Sequence, residues 1–389
     1  MTDRIVETST RGYGSRILES IKAVLVGIVL FLVSFSLLWW NEGRAVQAAD
    51  SFDEGSTNVV SVPSDRVDPA NEGKLVHVSG AALVHELLRD PVFAVSAEAL
   101  RLTRVVEMFE WQEEEKTETT KNVGGSDTKT TTYLYSKKWS DRLVDSSVFK
   151  QRADHTNPTT MPYDGKDMVA TDAKIGAFTL PEEAIKRLAK FDDIAVDDAA
   201  KSKLAPELAA RAVLSDGKIF LGKSVNDPAI GDVRISFRMI RPQLLSVIAQ
   251  QFGASFRAYP TKAGDGLFRV DAGAVDASKM FAEARSENVA LTWGLRGLGF
   301  CLMVLGLSLF FRPIATVADF IPKIGSFVGF SAVVFSVVLA GGLSAITIAV
   351  AWIAHRPLLG IAVLLGGAAA LAGVVLMMRM GKRRKRVAA

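Results

Sequence analysis

Eighteen consecutive residues, 23–40, carry no charge. As a helix they reach about 27 Å at 1.5 Å per residue, close to a bilayer core of about 30 Å. Backbone N–H and C=O groups inside hydrocarbon must pair within their own segment, so such a run is expected to cross a membrane as a helix. Trp39 and Trp40 fall where amphipathic rings favour the headgroup level, and Asn41, Glu42, Gly43 and Arg44 return the chain to water. The polar, basic stretch before the run has the character of a signal-peptide n-region, with Val46-Gln47-Ala48 as a weak cleavage site. The run exceeds the usual h-region of roughly 7–15 residues, which favours an uncleaved anchor.

Hydrophobic residues make up 49% of the 389, against 23% charged, and they are unevenly placed. They concentrate in 23–40, 291–311, 327–354 and 358–378, which predicts four transmembrane helices. The expected order is a basic N-terminus 1–22, the first span, a water-soluble domain 41–290, the second span, a loop 312–326, the third and fourth spans, and a basic tail 379–389. Arg296 lies about one turn inside the second span, where its long stem can snorkel to the interface. Gly341-Gly342 and Gly366-Gly367 are small-residue packing positions within spans.

The formal charge of +4 resides largely at the ends, in Arg4, Arg11, Arg16 and Lys22 and in Lys382-Arg383-Arg384-Lys385-Arg386. Basic clusters beside spans mark the cytoplasmic side and attract anionic lipid, so membrane lipids are the expected partners and nucleic acid is not. With four spans both termini are cytoplasmic and the large domain is extracytoplasmic. That domain has no Asn-x-Ser/Thr acceptor, since Asn157 is followed by Pro158, which favours a periplasmic domain on a bacterial inner membrane over a glycosylating lumen. The single cysteine, Cys301, falls inside a span, so no intrachain disulfide forms and the domain rests on its apolar core.

Within the domain, 74–79 and 100–112 alternate as half-buried strands do. The second places Val105, Glu107, Phe109 and Trp111 on one face and Arg104, Val106, Met108 and Glu110 on the other, and neither face is cleanly polar. Polar residues 113–130 then lead to 131–139, where Tyr133, Tyr135, Lys137 and Trp139 share a face. This predicts a long hairpin with a solvated, mobile tip, a partner-docking loop being the other reading. Helices are predicted over 182–191, 200–214 and 276–288, and strands over 232–240, 244–251, 255–259 and 267–271. The fold class is α+β with a mostly antiparallel sheet.

Five stretches together resemble one family: WWNEGRAV (39–46), YLYSKKWSDRLVDSSVFKQRADHTNP (133–158), GDVRISF (231–237), and the pairs Arg312-Pro313 and Arg356-Pro357. In this order, one span, a large domain and then further spans, the chain is similar to the LUMA family, also called the transmembrane protein 43 family. The resemblance runs from Trp39 to Pro357. It implies a multi-pass membrane protein whose animal members reside in the endoplasmic reticulum and inner nuclear membrane and organise protein complexes there, while bacterial members have no assigned activity. A scaffold role is what carries over to this chain.

The candidate chemistry is thin. His77 and His85 are eight apart across Gly80, which brings them together if the glycine makes a hairpin turn, but no further ligand stands at metal spacing. His155, in Asp154-His155-Thr156-Asn157-Pro158, has Ser146 and Ser147 near in sequence, without a visible nucleophile turn or oxyanion donor. Either it serves a hydrolase, or His155, Asn157 and Pro158 brace a loop. Glu42 and Arg296 stand at matching depth, so they either pair or snorkel separately. No cofactor, metal or catalytic constellation is expected. The expected function is a non-enzymatic scaffold that binds protein partners or its own copies, with a sensor capturing a lipid or peptide as the alternative.

Overall fold

The computed structural model describes residues 3–356. Long helices, α1 (Tyr13–Asn58), α2 (Ala277–Ala318) and α3 (Pro322–His355), enclose in sequence a sheet-rich middle domain. Among the described residues, three helices are long and apolar enough to cross a membrane, so the expectation of four spans is corrected to three. The fourth expected span, 358–378, lies outside the described residues. The helices also overrun the apolar runs that predicted them. Helix α1 has 46 residues, about 69 Å, because nothing between Trp40 and Asn58 breaks it: the stretch holds no proline, and its Ala, Glu, Gln and Arg are good helix formers. Residues 276–288 continue without a break into α2, which also tolerates Pro313 near its end.

The chain divides into two compact units. The first comprises the N-terminal stretch through Ser9, with Ser51–Thr119 and Lys129–Glu283. Its larger sheet is ordered on strands β1 (Asp3–Arg11), β5 (Asp127–Ser140), β4 (Arg101–Lys121), β6 (Val233–Ile240), then Lys218–Leu221 and Ala212–Ser215. Strand β4 pairs antiparallel with β6, Val106 opposite Ile235 and Met108 opposite Val233. The even-numbered face is the buried one, with Leu102, Val106 and Met108 in an apolar cluster shared with Ile219, Ile235 and Phe237. Arg104 and Glu110 on that face look wrong for a core until their partners are seen. The Arg104 guanidinium meets the fully buried Asp90 carboxylate at 2.9 Å, and Glu110 accepts from the Val144 N–H at 3.2 Å. Burial pushes the Glu110 carboxyl pKa up, the backbone bond opposing it only in part.

The second sheet centres on β3 (Leu75–Leu83) and β7 (Leu244–Phe252), antiparallel with Val78 opposite Val247. Strand β2 (Val60–Val62) joins β3 in parallel. Strand β3 runs straight through Gly80, so His77 and His85 are not brought together by a turn. His77 instead shares hydrogen bonds with Ser61 Oγ (3.3 Å) and the Val275 carbonyl (2.9 Å). Two predicted helices are shorter than their apolar spacing suggests: 182–191 yields only Glu182–Lys186, and 200–214 resolves into Asp198–Lys201, Pro206–Arg211 and the strand Ala212–Ser215. Pro206 opens the second of these pieces, where its missing N–H costs no helical bond.

The second unit comprises Thr10–Asp50, Thr120–Thr128 and the chain from Ala284 onward. Helices α1 and α2 meet where Gly27 faces Gly306: a Cβ built on Gly27 would stand 2.7 Å from the Gly306 carbonyl, and one on Gly306 would stand 2.8 Å from the Gly27 carbonyl. Leu38, Met303, Leu307 and Ala340 make the apolar centre of this unit, while Leu25, Val29, Leu32 and Val338 are exposed, as lipid-facing residues are. The hairpin tip is not the solvated loop expected. Asp127 is buried and receives Arg11 (2.6 Å) and Arg16 (3.1 Å), while Asp319 receives Arg16 (2.5 Å) and Lys121 (2.6 Å). Asp127 at the hairpin and Asp319 just past α2 thus neutralise Arg11, Arg16 and Lys121.

Candidate functional site

Two clusters hold the residues singled out from the sequence. The first lies in the helical unit. Asn41, Glu42 and Arg44 fall within about one turn of α1, and Asn288, Thr292 and Arg296 recur every fourth residue along one face of α2. Glu42 is 1% exposed; Arg296 clasps it with two parallel bonds, Nε to Oε1 and Nη2 to Oε2, both 2.7 Å. The Trp352 indole N–H of α3 adds a third bond to Oε2 at 2.8 Å. One carboxylate therefore ties three helices together. Arg296 also stacks its guanidinium 4.8 Å from the centre of the Trp293 ring.

Two residues further along α1, Arg44 donates from Nη1 to Asn288 Oδ1 (2.8 Å) and from Nη2 to Thr292 Oγ1 (2.9 Å). Asn41, fully buried, donates to the Thr292 carbonyl at 3.1 Å, and Asn288 returns a bond to the Ala45 carbonyl at 3.0 Å. Gly43 is a spacing residue: a Cβ there would meet the His355 ring at 2.9 Å. The Asn-Glu-Gly-Arg motif is thus a joint between helices, each residue with a separate structural duty. Of the two sequence readings for Glu42 and Arg296, the geometry is that of a pair.

The second cluster lies in the sheet-rich unit. His155 is fully buried, stacked on Tyr135 (centroids 3.8 Å apart) and edge-on to Trp111 (4.5 Å). Its Nδ1 bonds the Gln151 carbonyl at 3.0 Å, which makes Nδ1 the protonated nitrogen. The Asp3 carboxylate lies 3.3 Å from Nε2 without the alignment of a hydrogen bond. Tyr135 donates to Glu113 at 2.5 Å, and its pKa is pushed up to about 12, by burial first and by that bond second. Asn157 acts as a surrogate strand beside Trp111: Oδ1 accepts from the Trp111 N–H (2.8 Å), and Nδ2 donates to the Trp111 and Val144 carbonyls (2.9 and 3.2 Å). Ser146 Oγ accepts from the Asn157 N–H at 2.9 Å and makes no bond to His155. Pro158 packs against Gly231, where an added Cβ would lie 3.3 Å from its ring. Trp139 sits under Arg234, 4.5 Å from ring to guanidinium, with Phe109 and Phe220 at its edges. Among the described residues, no group of three or more His, Cys, Asp or Glu side chains is arranged to hold a metal.

A family model described as Transmembrane protein 43 matches residues 108–357. The chain belongs to the transmembrane protein 43 family. Transmembrane protein 43 of mouse (Mus musculus) is 34% identical over 368 residues, covering 89% of this chain and 88% of its own. The human (Homo sapiens) protein of the same name is 34% identical, covering 91% and 90%, and the Drosophila melanogaster homolog is 30% identical, covering 88% and 92%. No solved structure matches. These relatives are named as transmembrane proteins, with no enzymatic name among them. For this family member, sequence reasoning found Asn41, Glu42, Gly43, Arg44 and Arg296 but missed Asn288, Thr292 and Trp352. The four-residue spacing of Asn288, Thr292 and Arg296 was a readable signal; Trp352 carried none, being tied to Glu42 only through space.

Proposed function

We propose that this protein is a non-enzymatic scaffold of a bacterial cell membrane, holding protein partners or copies of itself together. The observation that carries the reading is the Glu42 joint. A catalytic acid keeps an open approach for its substrate, whereas Glu42 is 1% exposed and already accepts three bonds. His155 is likewise enclosed by Tyr135, Trp111 and the Gln151 carbonyl, and is fully buried. A buried carboxylate satisfied as Glu42 is fixes geometry, and fixed geometry is what a scaffold needs. The basic flanks of the spans support an inner-membrane location.

Crosslinking in native membranes, followed by mild detergent extraction and mass spectrometry, tests this. The scaffold reading predicts reproducible protein partners or large homo-oligomers. A lone monomer carrying a small molecule would replace it with the binding-module reading. The feature favouring that second reading is a cavity of about 550 Å³ bordered by Val144, Ser146, Arg152 and Asn157.

A further inference from the structure

We propose that a cavity of about 300 Å³ beside the Glu42 joint binds the phosphate of an anionic phospholipid. This rests on the membrane reading above and names which lipid chemistry the joint takes. Val46, Ala49 and Val289 give the cavity an apolar wall, and Trp293, Arg296 and Arg356 line it as well. Two guanidinium groups therefore stand against one carboxylate, Glu42, among the lining residues.

The bonding leaves cationic donors to spare. Glu42 engages only Nε and Nη2 of Arg296, so three of the five N–H groups of that side chain are not used by it. Among the described residues, the Arg356 side chain makes a loose ion pair, 3.7 Å, to the half-exposed Asp50. An arginine fork with free N–H groups matches the geometry of a phosphate oxygen pair. The apolar wall next to it suits the glycerol and upper acyl carbons that a lipid brings and inorganic phosphate lacks. Trp293 and Trp352 are the residues that mark headgroup depth in membrane helices.

The test is native mass spectrometry of the full-length protein from micelles containing phosphatidylcholine and phosphatidylglycerol. Wild type should retain phosphatidylglycerol over phosphatidylcholine. Arg356→Gln should lower that retention about fivefold, the factor for losing one cationic contact to an anionic surface. Ala49→Leu, which keeps every charge and fills the cavity, should lower it as well, so the proposal does not depend on one variant folding. Replacing Lys382 through Arg386 with glutamine should leave retention unchanged. Equal retention in both cavity variants, or loss in the tail variant alone, would overturn the proposal. Displacement of phosphatidylglycerol by 50 mM inorganic phosphate would assign the site to a free anion and overturn it too. Membrane fractionation of each variant is scored separately: a protein that fails to sediment with membranes contradicts the membrane reading, whereas one that sediments without phosphatidylglycerol contradicts only the lipid site.

Discussion

Arg296→Ala should be among the most damaging single substitutions in the helical unit. It removes two of the three bonds to Glu42 and leaves the carboxylate 1% exposed, held by the Trp352 indole alone. Stripping one partner from a buried ion pair costs about 3–5 kcal/mol, most of it the penalty of the charge left behind. The opposite change, Glu42→Ala, should cost less. The Arg296 side chain is 16% exposed and lies over Trp293, so it can swing toward water on its flexible stem. About 1–3 kcal/mol is expected for that loss. The double variant removes both charges and should be no worse than Arg296→Ala alone, giving a coupling of at least 1 kcal/mol in the cycle. Thermal unfolding in mild detergent, followed by size-exclusion chromatography with fluorescence detection, gives all four midpoints. Additive losses would refute the pairing, and a larger loss from Glu42→Ala than from Arg296→Ala would refute the burial argument.

Further outcomes follow from other contacts. Asn157→Ala should destabilise the sheet-rich unit by about 1–2 kcal/mol, because the part-buried Trp111 N–H and C=O lose their surrogate partner; urea unfolding followed by tryptophan emission checks this. Gly306→Leu should disrupt the approach of α2 to α1, since even a Cβ would stand 2.8 Å from the Gly27 carbonyl, and a loss of monodisperse protein on chromatography is the readout. For Glu110 the raised folded-state pKa means the folded protein holds its proton more tightly than the unfolded chain. Its contribution is therefore full at low pH and is lost as pH rises above the ordinary value of 4.5. Glu110→Gln should accordingly raise the melting midpoint at pH 7 and leave it unchanged at pH 4, measured against wild type in the same buffers.

The apolar runs at 23–40, 291–311 and 327–354 were legible because a membrane span announces itself locally, in composition and length alone. The strand over 232–240 was legible because one buried face sets its alternation, and that over 244–251 because it is a short apolar run bounded by turn residues and buried on both faces. What escaped was long-range. The charges of the hairpin tip read as solvated because their partners, Arg16 and Asp319, stand roughly a hundred and two hundred residues away in sequence. Arg104 and Glu110 blurred the faces of β4 for the same reason: a buried charge looks like an exposed one until Asp90 and Val144 are in place. The N-terminal strand β1 was read as a basic tail, since its residues Asp3–Arg11 are mostly exposed and carry no alternation of their own. Of the joint, the charged pair at matching depth was visible; the indole that completes it was not.

The most direct test of the scaffold account is mass photometry on the protein extracted with its surrounding lipid into native nanodiscs. The account predicts particles heavier than one chain, either as integer multiples or with reproducible partners, and predicts that Arg296→Ala shifts the distribution toward lighter particles. A wild-type distribution confined to single chains would contradict it.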